Sequence, residues 1–396
     1  MEKVDTSTNL ENANVLDVTA NSVYLMDNKT NAVLYSKNEN QRVYPASTTK
    51  ILTAIIVLEN CKLDDVVTAS YNSVMNIPEG YTTADIQINE QLTVGQLLEL
   101  LLVYSANDAA NVLAEYVGGS IDSFVSMMNT KLNELNLADT HFTNPYGLHD
   151  ENHYTTAHDL AYLMKYCLKN DTFRKIAGKA SCAISATNLH EPRLYSSTNE
   201  LLIPDNSNYY KYLVTGKTGF TSQAKGCLVS SAYRDDLELI GVVLGSDSRF
   251  ADAKKLYQYG YSNYSIQKVV NKDAIITNLQ ISNASYTSKD LDLLATDEIY
   301  ALMSNVENPL NIKPKITLKQ GLLAPIEEGT ILGAATYEIN GVEYSTNLIA
   351  SHSVEPSKFL VYSIYTILGS NLVVLLVFCV ILIIKKKNNS EESISN

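Results

Sequence analysis

Three short stretches of this 396-residue chain carry side chains that could do covalent chemistry: Ser47-Thr-Thr-Lys50, Ser105-Ala-Asn107 and Lys217-Thr-Gly219. Residues three apart share one face of a helix, so a hydroxyl at 47 and an amine at 50 come within reach of each other. A serine is a weak nucleophile until a base takes its proton. Lysine serves as that base only when burial or a neighbouring cation lowers its pKa, and Lys217 is the candidate cation. At the first turn of a helix Ser47 would also meet outward-pointing backbone N–H groups, the material of an oxyanion hole.

Each stretch also has a plainer reading. A chain of this size carries Ser-x-x-Lys roughly once or twice by chance, and Ser47 alone reads as a helix cap. Ser105-Ala-Asn107 alone is a turn between helices, and Lys217-Thr-Gly219 a strand end. Their occurrence in order, on a helix, a loop and a strand, points to one site. Two rival patterns fall away. Thr215-Gly-Lys-Thr218 lacks the glycine that a phosphate-binding loop needs at 211, where Lys211 stands. His149-Asp-Glu-Asn-His153 offers ligand types, yet it follows Pro145 and Gly147 in a loop and lacks the HExxH order, so no metal site is assigned.

Positioning these groups requires strands and helices from both ends of the chain. Asn21 to Tyr35 has two β-rich runs around Asp-Asn-Lys-Thr-Asn, a hairpin pattern. Thr48 to Asn60 reads as a buried helix begun by Pro45 and capped near Ser47. Leu92 to Val103, Asn107 to Val117 and Ile121 to Leu135 read as further helices. Tyr209 to Val214, Cys227 to Ala232 and Leu237 to Leu244 read as strands. One antiparallel sheet built from the start and the later part of the chain, packed on helices from the middle, gives an α+β arrangement. From about Ser265 alternating stretches such as Lys313 to Gln320 and Val342 to Ala350 predict a small β-domain.

Composition bounds the rest. A length of 396 residues allows about two to three compact units. The net charge of −13 excludes a nucleic-acid partner, because phosphate neutralisation needs a basic stripe and the only dense basic run is Lys385 to Lys387. The five cysteines lack pairing patterns and read as buried small hydrophobes. Phe359 to Ile384 is 26 residues without a charge. At about 1.5 Å per residue it exceeds a hydrocarbon core of roughly 30 Å, so it reads as a transmembrane helix. The following lysines place residues 1–358 outside the cytoplasm. Such a topology needs an export signal, and residues 1–20 have no apolar core; the expectation is a signal peptide absent from this version of the sequence. The tail Asn388 to Asn396 is polar and expected to be disordered.

Beyond the three motifs, the chain carries Pro-Ala-Ser-Thr-Thr-Lys at 45–50, Tyr-Ser-Ala-Asn-Asp-Ala-Ala at 104–110 and Phe-Thr-Asn-Pro-Tyr-Gly-Leu-His at 142–149. His-Tyr-Thr-Thr-Ala-His-Asp-Leu at 153–160 and Lys-Thr-Gly-Phe-Thr at 217–221 add to them. In these stretches it resembles the D-alanyl-D-alanine carboxypeptidase family of low-molecular-mass penicillin-binding proteins. It departs from the usual pattern at Gly216, before Lys-Thr-Gly, and at Gly226 behind Lys225.

The resemblance implies a penicillin-binding/β-lactamase-like serine-hydrolase domain, then a small all-β domain and an anchor. The expected division is 1–20 tail, 21–264 catalytic domain, 265–357 β-domain, 358–384 transmembrane helix and 385–396 cytoplasmic tail. It further implies that Ser47 is acylated by a peptidoglycan stem peptide ending in D-Ala-D-Ala, with Lys50 as general base and Ser105 relaying a proton to the leaving amine. Asn107 would orient the peptide, Lys217 and Thr218 would hold the terminal carboxylate beside Gly219, and the N–H groups of Ser47 and Phe220 would form the oxyanion hole. β-Lactams would trap the same serine, and no metal or organic cofactor is implied. A β-lactamase would add a Glu-x-x-Leu-Asn loop, which is missing between Asn107 and Lys217. A catalytically silent envelope-binding protein would not need Ser47, Lys50 and Ser105 together.

Overall fold

The N-terminal alternation folds as a hairpin, with Ser22–Asp27 and Val33–Lys37 pairing antiparallel. Ser22–Asp27 then pairs with Leu237–Ser246, and Lys225–Arg234 and Leu213–Thr221 complete a five-stranded antiparallel sheet. The sheet joins the first and the later parts of the chain, as the sequence predicts. The computed structural model describes residues 16–75 and 77–392, so most of the predicted tail 1–20 lies outside the described residues. The chain divides into two compact units, residues 1–266 with 304–306, and 267–303 with 307–396.

In the first unit the helix Lys50–Asn60 is buried from Lys50 to Val57. It packs in one core with Asn107–Gly118, Ile121–Glu134 and Ala157–Cys167, through residues such as Leu52, Leu113, Phe124 and Leu163. Several elements differ from expectation. Ser47 is not a helix cap; Ala46–Thr49 form a 3-10 turn ahead of the α-helix, without a side-chain cap. The cause is local, since the hydroxyls of Thr48 and Thr49 donate back to the carbonyls of Pro45 and Ala46 (2.8 and 2.9 Å).

The helix expected from Leu92 starts at Val94, after a short strand Gln91–Thr93 and a capping box between Thr93 and Gln96. It widens into a π-turn at Leu100–Tyr104. The strand expected at Tyr209 starts at Leu213 and runs through Lys217-Thr-Gly219 to Thr221, so the motif lies inside a strand and not at its end. Tyr210 and Tyr212 instead join an aromatic cluster with Tyr257 and Tyr261. The ladder is continuous through Gly216, opposite Ser230. Among the described residues, four α-helices escaped the periodicity reading: Tyr71–Met75, Ala157–Cys167, Asp171–Ala177 and Arg249–Asn263.

The second unit is all-β up to its terminal helix. Five strands run in the order Ile275–Gln280, Asp290–Ala295, Val342–Ala350, Ile331–Ile339 and Lys315–Leu318. Their alternation buries Leu291, Leu293, Leu332, Tyr337 and Leu348 on one core. The last helix spans Lys358–Glu392, and its stretch Val361–Ile384 is long and apolar enough to cross a membrane. It continues past Asn388, where a disordered tail was expected, because no glycine or proline follows the lysines to end it. Cys167, Cys182 and Cys227 are buried as expected, whereas Cys61 is half-buried at a helix end and Cys379 is exposed on the apolar helix.

Candidate active site

Ser47 sits on its 3-10 turn with Lys50 immediately behind it, and the Lys50 Nζ donates to the Ser47 Oγ at 2.8 Å. The same Nζ donates to the Asn107 Oδ1 (2.6 Å) and the Tyr146 carbonyl (3.0 Å), so two acceptors hold the amine in place beside the hydroxyl. Lys50 is fully buried. Burial pulls its pKa well below an ordinary lysine's, the Lys217 charge adds to the fall, and Asp108 opposes it. A lysine without water around it and facing a second cation gives up its proton readily, which is what a base for Ser47 requires.

Each neighbour is placed by a local device. Asn107 opens the helix Asn107–Gly118, and Ser105 precedes it at φ 70° after the π-turn. That left-handed backbone costs a non-glycine residue about 1 kcal/mol or more, a strain held by the buried Leu100–Val103 segment. Asn144 bends the loop that delivers the Tyr146 carbonyl, its Oδ1 accepting from the N–H groups of Gly147 and Leu148 (2.8 and 2.9 Å). Gly147 then lies against the turn that carries Ser47; a Cβ there would fall 1.9 Å from the Ala46 carbonyl oxygen. His153 braces the turn from below. Its Nδ1 accepts from the Thr143 N–H (3.0 Å), so Nε2 bears the proton and donates to Thr49 Oγ1 (2.8 Å). Both ring nitrogens of His153 are thus engaged in holding the turn, and burial drives its pKa down to about 3.

The edge strand Leu213–Thr221 closes the other side. A Cβ on Gly219 would lie 2.9 Å from the Ser47 nitrogen, so glycine is what lets the strand backbone and the Ser47 turn meet. Lys217 is buried, its Nζ donates to the Thr218 carbonyl (3.1 Å), and burial with the nearby Arg249 charge lowers its pKa to about 7. The Thr218 and Thr198 hydroxyls are hydrogen-bonded to each other at 2.6 Å. A cleft of about 520 Å³ results. Ser47, Ser105, Asn107, Thr218, Gly219 and Phe220 line it, with Lys50 and Lys217 buried beneath. The eight predicted residues therefore converge.

Sequence reasoning missed three contributors. Tyr146 supplies a carbonyl to Lys50, and the Asn-Pro-Tyr-Gly turn signature was the available signal. Thr198 reaches the cleft from a loop with no motif. Arg249, at the start of Arg249–Asn263, sends its Nη1 to the Gly219 carbonyl (3.1 Å) and leaves its buried Nε without a partner. No local pattern marks that arginine, because its role exists only after the sheet brings residue 249 beside 219.

This geometry agrees with what the chain is similar to. Residues 7–248 match the Peptidase_S11 family, D-alanyl-D-alanine carboxypeptidase, and residues 264–356 match the C-terminal domain of penicillin-binding protein 5. The D-alanyl-D-alanine carboxypeptidase DacF of Bacillus subtilis is 30% identical over 344 residues, covering 84% of this chain and 85% of the relative. A D-alanyl-D-alanine carboxypeptidase of a Streptomyces species is 36% identical over 258 residues, 60% of this chain and 86% of its own. The crystal structure of penicillin binding protein 5 from Haemophilus influenzae superposes with a TM-score of 0.65 at 28% identity, covering 87% of this chain and 99% of that one. The chain belongs to the D-alanyl-D-alanine carboxypeptidase family, serine peptidases among the penicillin-binding proteins. Its α+β hydrolase fold, all-β domain and terminal apolar helix are those the sequence predicts.

Proposed function

We propose that Ser47 attacks the penultimate D-alanine carbonyl of peptidoglycan stem peptides, forms an acyl-enzyme and releases terminal D-alanine. One observation carries the reading: a fully buried Lys50 whose amine sits 2.8 Å from the Ser47 hydroxyl at the floor of an open cleft. Lys50 takes the serine proton, and Ser105 passes a proton to the leaving amine. Asn107 spends its Oδ1 on Lys50, which leaves its Nδ2 for a substrate carbonyl. The N–H groups of Ser47 and Phe220 face the developing oxyanion. Thr218 and the charges of Lys217 and Arg249 receive the terminal carboxylate, and the unpartnered Arg249 Nε supports that role. Water then frees the serine, and β-lactams acylate it in the same way. In this reading residues 21–264 catalyse, 265–357 form a spacer, and 358–384 cross the membrane once. The lysines 385–387 remain in the cytoplasm and the cleft faces outward, as the positive-inside rule requires.

The test is direct. Fluorescent penicillin should label the purified protein, Ser47→Ala should abolish the label, and a pentapeptide ending in D-Ala-D-Ala should yield free D-alanine. A folded protein that takes no label and releases no D-alanine is not this enzyme.

A further inference from the structure

The all-β domain hands over to the terminal helix through chain segments that lie side by side. Ser357 donates its N–H to the Asn283 carbonyl (2.8 Å), Ser285 donates to the Glu355 carbonyl (2.8 Å), and Ala284 bridges to Pro356. On the next segment Ala324 donates to the Ser282 carbonyl (3.2 Å), and Ile326 exchanges backbone bonds with Val354 (3.0 and 2.8 Å). The loop that makes the first of these contacts turns through a Ser288 N–H to Ser285 carbonyl bond (3.0 Å) and presents Tyr286, which is 85% exposed. The Lys289 Nζ lies 4.8 Å from the centre of that ring. Leu323, 50% exposed, opens to solvent on the neighbouring segment.

These backbone bonds fix the height of the loop. The Val361 N–H donates to the Ser357 carbonyl, so Ser357 stands one turn, about 6 Å along a helix, before the apolar stretch Val361–Ile384. A headgroup layer is about 5–8 Å thick. When that stretch crosses a bilayer, the backbone of 283–285 therefore lies at the outer rim of the headgroups. Phe359, Tyr362 and Tyr365 are exposed on the first turns of the helix Lys358–Glu392, the level at which aromatic belts form. Tyr286 comes to the same level from a distant part of the chain. A phenol has an apolar ring and a polar tip, and a lysine beside it can place its amine among phosphates. Charge does not supply the attraction, since Asp290, Glu327, Glu328 and Glu355 outnumber Lys289 and Lys358 in these segments. An exposed aromatic ring at that height meets lipid before it meets anything else.

We propose that the loop 282–289, with Leu323 beside it, is a second membrane contact: Tyr286 lies in the headgroup layer of the bilayer that Val361–Ile384 crosses, and Lys289 meets lipid phosphate. The inference rests on the membrane-spanning reading of the terminal helix. A domain standing on one helix is free to lean and swivel. A contact beside the helix axis removes that freedom and holds the β-domain in one attitude on the bilayer.

The chain contains no tryptophan, so one introduced indole reports alone. The full-length protein carrying Tyr286→Trp is reconstituted in phosphatidylcholine vesicles, and its fluorescence is compared between ordinary lipid and lipid brominated in the upper acyl chain. We expect blue-shifted emission, quenched about twofold or more by the brominated lipid. Thr287→Trp keeps the native tyrosine and should be quenched as well. Glu343→Trp, exposed at the far end of Val342–Ala350 and roughly 23 Å along that strand from its exit, should stay solvent-like. An unchanged melting temperature certifies the fold of each variant. Emission from 286 and 287 that is neither shifted nor quenched, in protein that resists alkaline extraction from the vesicles, overturns the second contact. Quenching at 286 alone overturns it too, because the new indole and not the loop then sets the depth, as does quenching at 343 equal to that at 286. Emission that moves only when peptidoglycan fragments are added assigns the loop to the wall and sinks the proposal. Extraction of the wild-type protein by alkali overturns the membrane-spanning reading itself, and the second contact with it.

Discussion

The two units bury different things. The first keeps Lys50, Asn107, Asp108, His153 and Lys217 under its surface, gathered around Lys50 and the turn that carries Ser47. The second buries Leu291, Leu293, Met303 and Leu348, and among its described residues Thr346 is the one buried polar side chain. Burying a charge or an unpaired polar group opposes folding, so a fold retains it only where something else is gained. The contrast separates a unit built to react from one built to hold its shape.

The largest test of that contrast is Ser47→Ala, which should reduce penicillin acylation and D-alanine release by about 10⁴-fold or more without lowering the melting temperature. Lys50→Met should lose about 10³-fold in acylation rate while leaving thermal stability unchanged or higher, because an apolar chain of similar length removes the burial cost. A Lys50→Met protein that unfolds would place that lysine among the structural residues and break the comparison. Arg249→Ala should lower kcat/KM for the pentapeptide by about a hundredfold, mainly through KM, if the guanidinium holds the carboxylate.

Lys217 gives a pH signature. Its folded value of about 7 lies below an ordinary lysine's 10.5, so between those limits the folded residue is neutral and the unfolded one protonated. Its contribution therefore makes stability rise with pH across that window. In the free enzyme kcat/KM should fall about tenfold per pH unit above about 7, and Lys217→Arg should move that limb upward. At the small end for catalysis, Leu293→Ala in the second unit should lower that unit's stability by about 2–5 kcal/mol in denaturant unfolding. Penicillin acylation should stay within about twofold, since no residue of the reacting group changes.

Much of the cleft was legible because its chemistry is written in short motifs. Ser47 and Lys50 are one turn apart, so a local rule sufficed to pair them. The sheet was legible too, as alternation in Leu237–Ser246 and in the N-terminal hairpin marks half-buried strands. What escaped depends on side chains overriding local preference. The 3-10 turn at Ala46–Thr49 arises from two threonine back-bonds, and the π-turn at Leu100–Tyr104 ends in a left-handed serine that propensity disfavours. Arg249 was invisible for a different reason, since its partners lie 30 residues earlier, across a sheet register that no local window contains.

The backbone contacts of Gly147 and Gly219 with the Ala46–Ser47 turn have a consequence in time. A chain made from its N-terminus presents Ser47 long before residue 219 exists, and until then that serine is an ordinary alcohol. The cleft around that hydroxyl closes only when the edge strand docks, so the cluster is assembled together with the finished sheet.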